Sequence, residues 1–228
     1  MESARRVLRP KVTAVAEQMG AIPAAACPGG EAVAKITLHP RYIAKSAFPE
    51  ALLASVGLRT VGATNAAVAP RSNPGEEKLT TELYVAGPRS AFTRLANDPS
   101  IWADSGATSA DWVKVEDWSF PSVASKTRPV APSAVKVAML VALQPGGGTS
   151  ADRVVQAFIK YASDCGAVVD AATRLDVGGL TYLDVEALPA SMDVLAEFAF
   201  VRVIRGMPRL RLPMCGVLPA SPAPFAVT

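Results

Sequence analysis

An α+β fold of two tandem βαββαβ units is what this sequence predicts, on three observations. Residues 179–211 (GLTYLDVEALPASMDVLAEFAFVRVIRGMPRLR) read as strand, short helix, strand. Residues 135–177 before them read the same way, which completes one unit, and 31–120 repeat the order less regularly. A proline-rich stretch without periodicity, 121–133, separates the two.

The N-terminal region, residues 1–30, is expected to be a helix and a loop. Val7, Leu8, Val12 and Val15 form the apolar side of a helix over 1–19, and Pro10 is expected at a break in it. Gly20 to Gly30 reads as a loop, with Pro23, Pro28 and paired glycines. The first unit spans 31–120. Alternation over Ala32–Leu38 predicts a strand ending at His39-Pro40. Residues 41–56 predict a helix with Ile43, Phe48, Leu52, Leu53 and Val56 inward, divided at Pro49 and stopped by Gly57. Strands follow at 58–68 and 79–86, joined by the polar turn 71–78. A short helix over 90–97, a loop over 98–111 and a closing strand from Trp112 to Phe120 complete the unit.

The second unit, 134–212, is more regular. Val135–Leu143 is an aliphatic strand, and Gln144–Thr149 a glycine loop. Ser150–Cys165 is a helix with Val154, Val155, Phe158, Ile159 and Ala162 inward, ended by Gly166. A strand over 167–177 turns at Gly178-Gly179 into a second, in which Leu180, Tyr182, Asp184 and Glu186 interleave with Thr181, Leu183 and Val185. Pro189 breaks it. Ser191 is placed to cap a helix carrying Met192, Leu195 and Phe198, and a strand restarts at Phe200–Ile204 with Arg202 and Arg205 in it. Each unit thus folds as an antiparallel sheet with two helices on one face, the ferredoxin-like arrangement. Residues 213–228 read as an extended tail with prolines at 213, 219, 222 and 224.

Composition narrows the function. Half of the 228 residues are hydrophobic, enough for a substantial core, and 19% are charged, with a net charge of +3. That balance is too mild to argue for nucleic acid or a membrane surface as partner. Cys27, Cys165 and Cys215 are too sparse for a disulfide framework or an ordinary zinc site, so a reducing cytoplasm is expected and no metal or cofactor. Charges interrupt the N-terminus where a secretory signal would need an apolar run, and no stretch of about 18 apolar residues predicts a membrane span.

Few residues invite a chemical role. The single histidine, His39, closes a strand, where a structural role outweighs acid–base catalysis. Asp104-Ser105-Gly106 and Gly148-Thr149-Ser150-Ala151 echo the aspartate and serine signatures of subtilisin-like proteases. Asp152, Arg153 and Val154 break the serine motif, and His39 precedes the aspartate instead of following it. A turn and a helix cap are the expected roles. Gly146-Gly147-Gly148 lacks the lysine of a phosphate-binding loop. Arg202, Arg205, Arg209 and Arg211 find only Tyr182 as an aromatic neighbour, which suits a solvated or partner-facing edge better than RNA. Trp102, Trp112 and Trp118 are expected in the core or at a domain interface.

One resemblance bears on function. The strand, the helix with Leu195-Ala196-Glu197-Phe198, the strand Val201-Arg202-Val203-Ile204 and the proline-containing tail are together similar to the second half of a subtilisin propeptide. The similarity covers 134–228. Ile36-Thr37-Leu38-His39-Pro40, Ala44-Lys45-Ser46 and Phe48-Pro49 resemble the N-terminal region of large bacterial cytoplasmic subtilases. The resemblance implies a non-catalytic prodomain that packs its sheet on a subtilisin-like protease domain, in cis or in trans, and runs its tail into the active-site cleft. It implies Tyr182 and Arg202 on the sheet and Phe225, Ala226, Val227 and Thr228 on the tail as contact residues. If the chain ends at a processing site, Thr228 lies beside the cut and Phe225, the fourth residue back, suits the apolar pocket the resemblance implies. A tandem first unit, no signal peptide and no catalytic domain set the chain apart from secreted propeptides. The competing expectations are a stand-alone binding module (a metabolite sensor or separate inhibitor) and, more weakly, an enzyme.

Overall fold

A computed structural model describes residues 2–103, 108–146 and 149–208. It is α+β, with two four-stranded antiparallel sheets. In the first, β1 (Glu31–Leu38), β2 (Arg59–Val68), β3 (Lys78–Pro88) and β4 (Val115–Ser119) lie in the order β2-β3-β1-β4. In the second, β5 (Val137–Leu143), β6 (Val168–Val177), β7 (Leu180–Ala187) and β8 (Val201–Gly206) lie in the equivalent order β6-β7-β5-β8. This is compatible with two tandem ferredoxin-like domains.

The described residues include six α-helices that accompany the sheets: α1 (Glu2–Ala21), α2 (Glu50–Val56), α3 (Arg89–Asn97), α4 (Val123–Lys126), α5 (Thr149–Asp164) and α6 (Met192–Glu197). In each sheet one face is aliphatic and buried. Ala34, Ile36, Leu83 and Val85 belong to that face of the first, and Met139, Val141, Leu183, Val185 and Ile204 to that of the second. Burying these side chains under the helices is the main stabilising contribution, about 1.5–3 kcal/mol for each large aliphatic. The core is one continuous cluster that spans both sheets.

Five expectations are corrected. Helix α1 runs unbroken through Pro10, and Val7 is 41% exposed while Met19 joins Leu8, Val12 and Val15 in the core. The 3.6-residue stripe tolerates the lost bond at Pro10 because α1 is held by packing. Residues 41–56 are two short 3-10 turns, Pro40–Tyr42 and Lys45–Ala47, and the brief α2, which leaves Ile43 outside at 47% exposure. Pro49 precedes α2 without a side-chain cap, and the buried Asp111 carboxylate accepts from the Leu52 N–H instead, at 2.9 Å. Trp112 lies in a 3-10 helix, Ser109–Lys114, ahead of β4. The Ser191 hydroxyl accepts no capping bond from the α6 N–H groups. The stretch read as a linker is packed: it forms α4, Thr127 pairs in parallel with Ile204, and the Arg128 N–H donates to the Ile204 carbonyl at 2.9 Å.

The β6–β7 hairpin turns through Gly178 and Gly179, both at positive φ (61° and 77°), where a side chain would be strained.

Candidate functional site

The second sheet has one face under α5 and α6, and what its other face carries follows from the strand register. On β7, Tyr182, Asp184 and Glu186 alternate with the buried Leu183, Val185 and Ala187. Val168, Glu186 and Ala138 lie in one row across three strands, and Asp170, Asp184, Leu140 and Arg205 in the next across four. Leu175 opposes Tyr182 and Val177 opposes Leu180 on the β6 edge, both more than half exposed. The result is a partly open face, with Leu175 and Val177 exposed along the β6 edge, Leu140 and Tyr182 half-buried, Ala142 buried opposite Tyr182, and three carboxylates at one end. A shallow cavity of about 320 Å³ there is lined by Ala138, Val168, Asp170, Asp184, Glu186 and Met207.

Of the residues singled out from the sequence, Tyr182 lies on this open face, half-buried. Arg202 lies elsewhere. Its guanidinium carbon is 3.6 Å from the centre of the Tyr84 ring on β3, so it joins the second sheet to the first. Burial lowers the Arg202 pKa and the Glu82 carboxylate opposes that shift. Phe225, Ala226, Val227, Thr228, the tail over 213–228, Arg209, Arg211, Cys215, Asp104-Ser105-Gly106 and Gly147-Gly148 lie outside the described residues.

Further contacts tie together the two units and the segments around them. Gln144, buried after β5, donates from Nε2 to the Val61 carbonyl at 3.4 Å. The Ala199 N–H donates to the Ala26 carbonyl at 2.9 Å. Lys126 of α4 is 3% exposed and donates from Nζ to the Ala196 and Phe198 carbonyls, at 2.9 and 3.2 Å. Burial drives its pKa down to about 8, against the pull of Cys27 and Glu197. These cross-links could not be read from sequence, because each joins residues far apart in the chain.

Among the described residues, His39, Glu116, Cys27 and Cys165 have structural surroundings. The His39 Nδ1 accepts from the Arg41 N–H at 3.2 Å, so the neutral ring carries its proton on Nε2. Ser72 Oγ and Glu116 Oε1 both lie at that same Nε2, at 3.4 and 3.7 Å. A ring with Nε2 protonated has no lone pair there to take a proton from Ser72, so the trio is not a nucleophile–base pair. Glu116 is instead paired with Arg71, whose Nε donates to Oε2 at 2.7 Å. Burial raises the thiol pKa of both Cys27 and Cys165, which disfavours thiolate. Among the described residues no cluster of His, Cys, Asp and Glu is placed to hold a metal ion. Trp112 and Trp118 are buried, and Trp102 stacks on Trp112 with ring centres 4.1 Å apart. No described helix is long and apolar enough to cross a membrane. Comparison with family models, with curated proteins and with solved structures finds no match to the chain.

Proposed function

We propose that this chain is the non-catalytic prodomain region of a cytoplasmic subtilisin-like serine protease, two ferredoxin-like domains in tandem of which the second is propeptide-like. It templates the folding of the protease domain and blocks its active site. The observation that carries this reading is the second sheet: both helices cover one face, and the other is left open with Leu140, Leu175, Val177 and Tyr182 beside Asp170, Asp184 and Glu186. Exposed aliphatic side chains grouped on one sheet face beside charged ones suit a protein–protein contact. In this reading the tail, 213–228, follows the docked sheet and adds as a strand to the edges of the cleft. Tyr182 is a sheet contact in this reading, and Phe225 to Thr228 are the cleft contacts. Arg202 contributes indirectly, by fixing the sheet against the first domain.

The test is inhibition of a panel of purified bacterial subtilisin-like proteases by the full chain. Full-length protein should inhibit at least one of them, and removal of 213–228 should weaken inhibition by more than tenfold, on the order of 1.4 kcal/mol or more. Tyr182→Arg should weaken it with the tail intact. Inhibition that is absent throughout, or indifferent to both changes, would sink the reading.

A further inference from the structure

The first sheet's helical side carries a second site, independent of the docking face and of the prodomain reading. A groove of about 680 Å³ runs along α1 opposite its buried stripe, lined by Arg5, Arg6, Arg9, Pro10, Thr13, Ala14, Glu17 and Trp102. That volume is in the range that encloses a small organic ligand.

Its wall and its charges are built differently. Trp102 is held rigidly: its indole N–H donates to the Leu95 carbonyl at 2.8 Å and its ring stacks on Trp112. The Arg9 guanidinium carbon lies 5.9 Å from the Trp102 ring centre. Arg6 and Arg9 are exposed and have no carboxylate partner among the described residues. Lys11, next on the helix, is by contrast paired with Asp117 at 2.6 Å. Arg5 is buried, and its Nη2 donates to the Ser109 carbonyl at 3.4 Å, so it serves the fold. Pro10, in the middle of the groove, has no N–H to give the Arg6 carbonyl one turn back, which leaves that oxygen to other donors. Glu17 closes the far end with a negative charge.

We propose that this groove binds a mononucleotide-class ligand, with its ring against Trp102 and its phosphate between Arg6 and Arg9. Each part answers a different chemistry. Paired guanidinium groups match the oxygens of a phosphate. A fixed indole stacks a planar heterocycle, and the Arg6 carbonyl and Glu17 carboxylate accept from its amino and hydroxyl groups. A simple anion would leave the aromatic wall unused. A polynucleotide would meet Glu17 at the end of the groove, on a chain whose net charge is only +3.

The test titrates the full chain with ADP at low ionic strength and follows tryptophan emission, with adenosine and inorganic phosphate as half-ligand controls. Trp102 is the indole that lines the groove, and loss of quenching in Trp102→Phe assigns the signal to it, since Trp112 stacks on it but lies buried. ADP is expected to bind more tightly than either half. Arg6→Gln with Arg9→Gln should weaken it by roughly tenfold or more, without a change in melting temperature, because both side chains are exposed. Trp102→Phe, which keeps a ring, should bind better than Trp102→Leu in calorimetry. ADP binding that is absent at millimolar concentration, unchanged by the double arginine variant, or no tighter than that of inorganic phosphate overturns the proposal.

Discussion

The Arg202 guanidinium carbon lies 3.6 Å from the centre of the Tyr84 ring, and this contact joins β8 of the second sheet to β3 of the first. A cation removed from water onto an aromatic face contributes more than one at the surface. A double-mutant cycle of Arg202→Ala and Tyr84→Ala, read by urea denaturation, should therefore return a coupling of about 1–2 kcal/mol. A coupling near zero would mean that the stacking contributes nothing to holding the sheets together.

Gly62 tests the same junction by steric means. A Cβ built there would lie 1.5 Å from Gln144 Nε2 and 2.7 Å from its Cδ, and Gln144 is buried. Gly62→Ala should cost about 1–3 kcal/mol, because the glutamine must be expelled from its slot. Adding Gln144→Ala should restore most of that loss. If the pair is as unstable as Gly62→Ala alone, the obstruction is not the glutamine.

Lys126 gives the fold a dependence on alkaline pH. Burial lowers its pKa from 10.5 to about 8, so between those values the unfolded chain binds the proton more strongly. Stability from this group therefore rises with pH across that window, by up to about 3 kcal/mol. Wild type should gain on Lys126→Met as pH rises from 8 to 10, in paired thermal melts. A constant gap would show that the ammonium is not desolvated in the folded state.

His39 should titrate below its ordinary value of 6.5, since burial outweighs the attraction of Glu116. A depressed histidine loses stability for the fold as pH falls below that value. With one histidine in the chain, nitrogen-detected NMR gives a single unambiguous titration. The neutral form should carry its proton on Nε2. The opposite tautomer would reopen Ser72 as a nucleophile.

Legibility divided along the range of the interactions. The β6–β7 hairpin could be read because Gly178-Gly179 and strict alternation are local signals. Helix α5 and its stop at Gly166 were equally plain, since an amphipathic stripe and a positive-φ glycine need no partner. Residues 41–56 depart from the helix their apolar spacing suggests, and α2 takes its N-terminal acceptor from Asp111, a residue 59 positions from Leu52. Trp112 suited a strand by propensity, yet tertiary packing set it in a 3-10 helix. The open face of the second sheet followed from alternation alone. That Arg202 would be drawn to Tyr84 did not, because no local pattern states how two sheets meet.

The packed stretch between the units decides how the molecule can be cut. Thr127 and Arg128 supply β8 with its outer neighbour, and Lys126 satisfies two carbonyls beside α6. A fragment beginning at Ser133 would lose all of these, and one beginning at Pro121 would still lose the Ala26 carbonyl that receives the Ala199 N–H. Excised halves should therefore be poorer folders than the whole, and the intact chain should melt in a single cooperative transition instead of two.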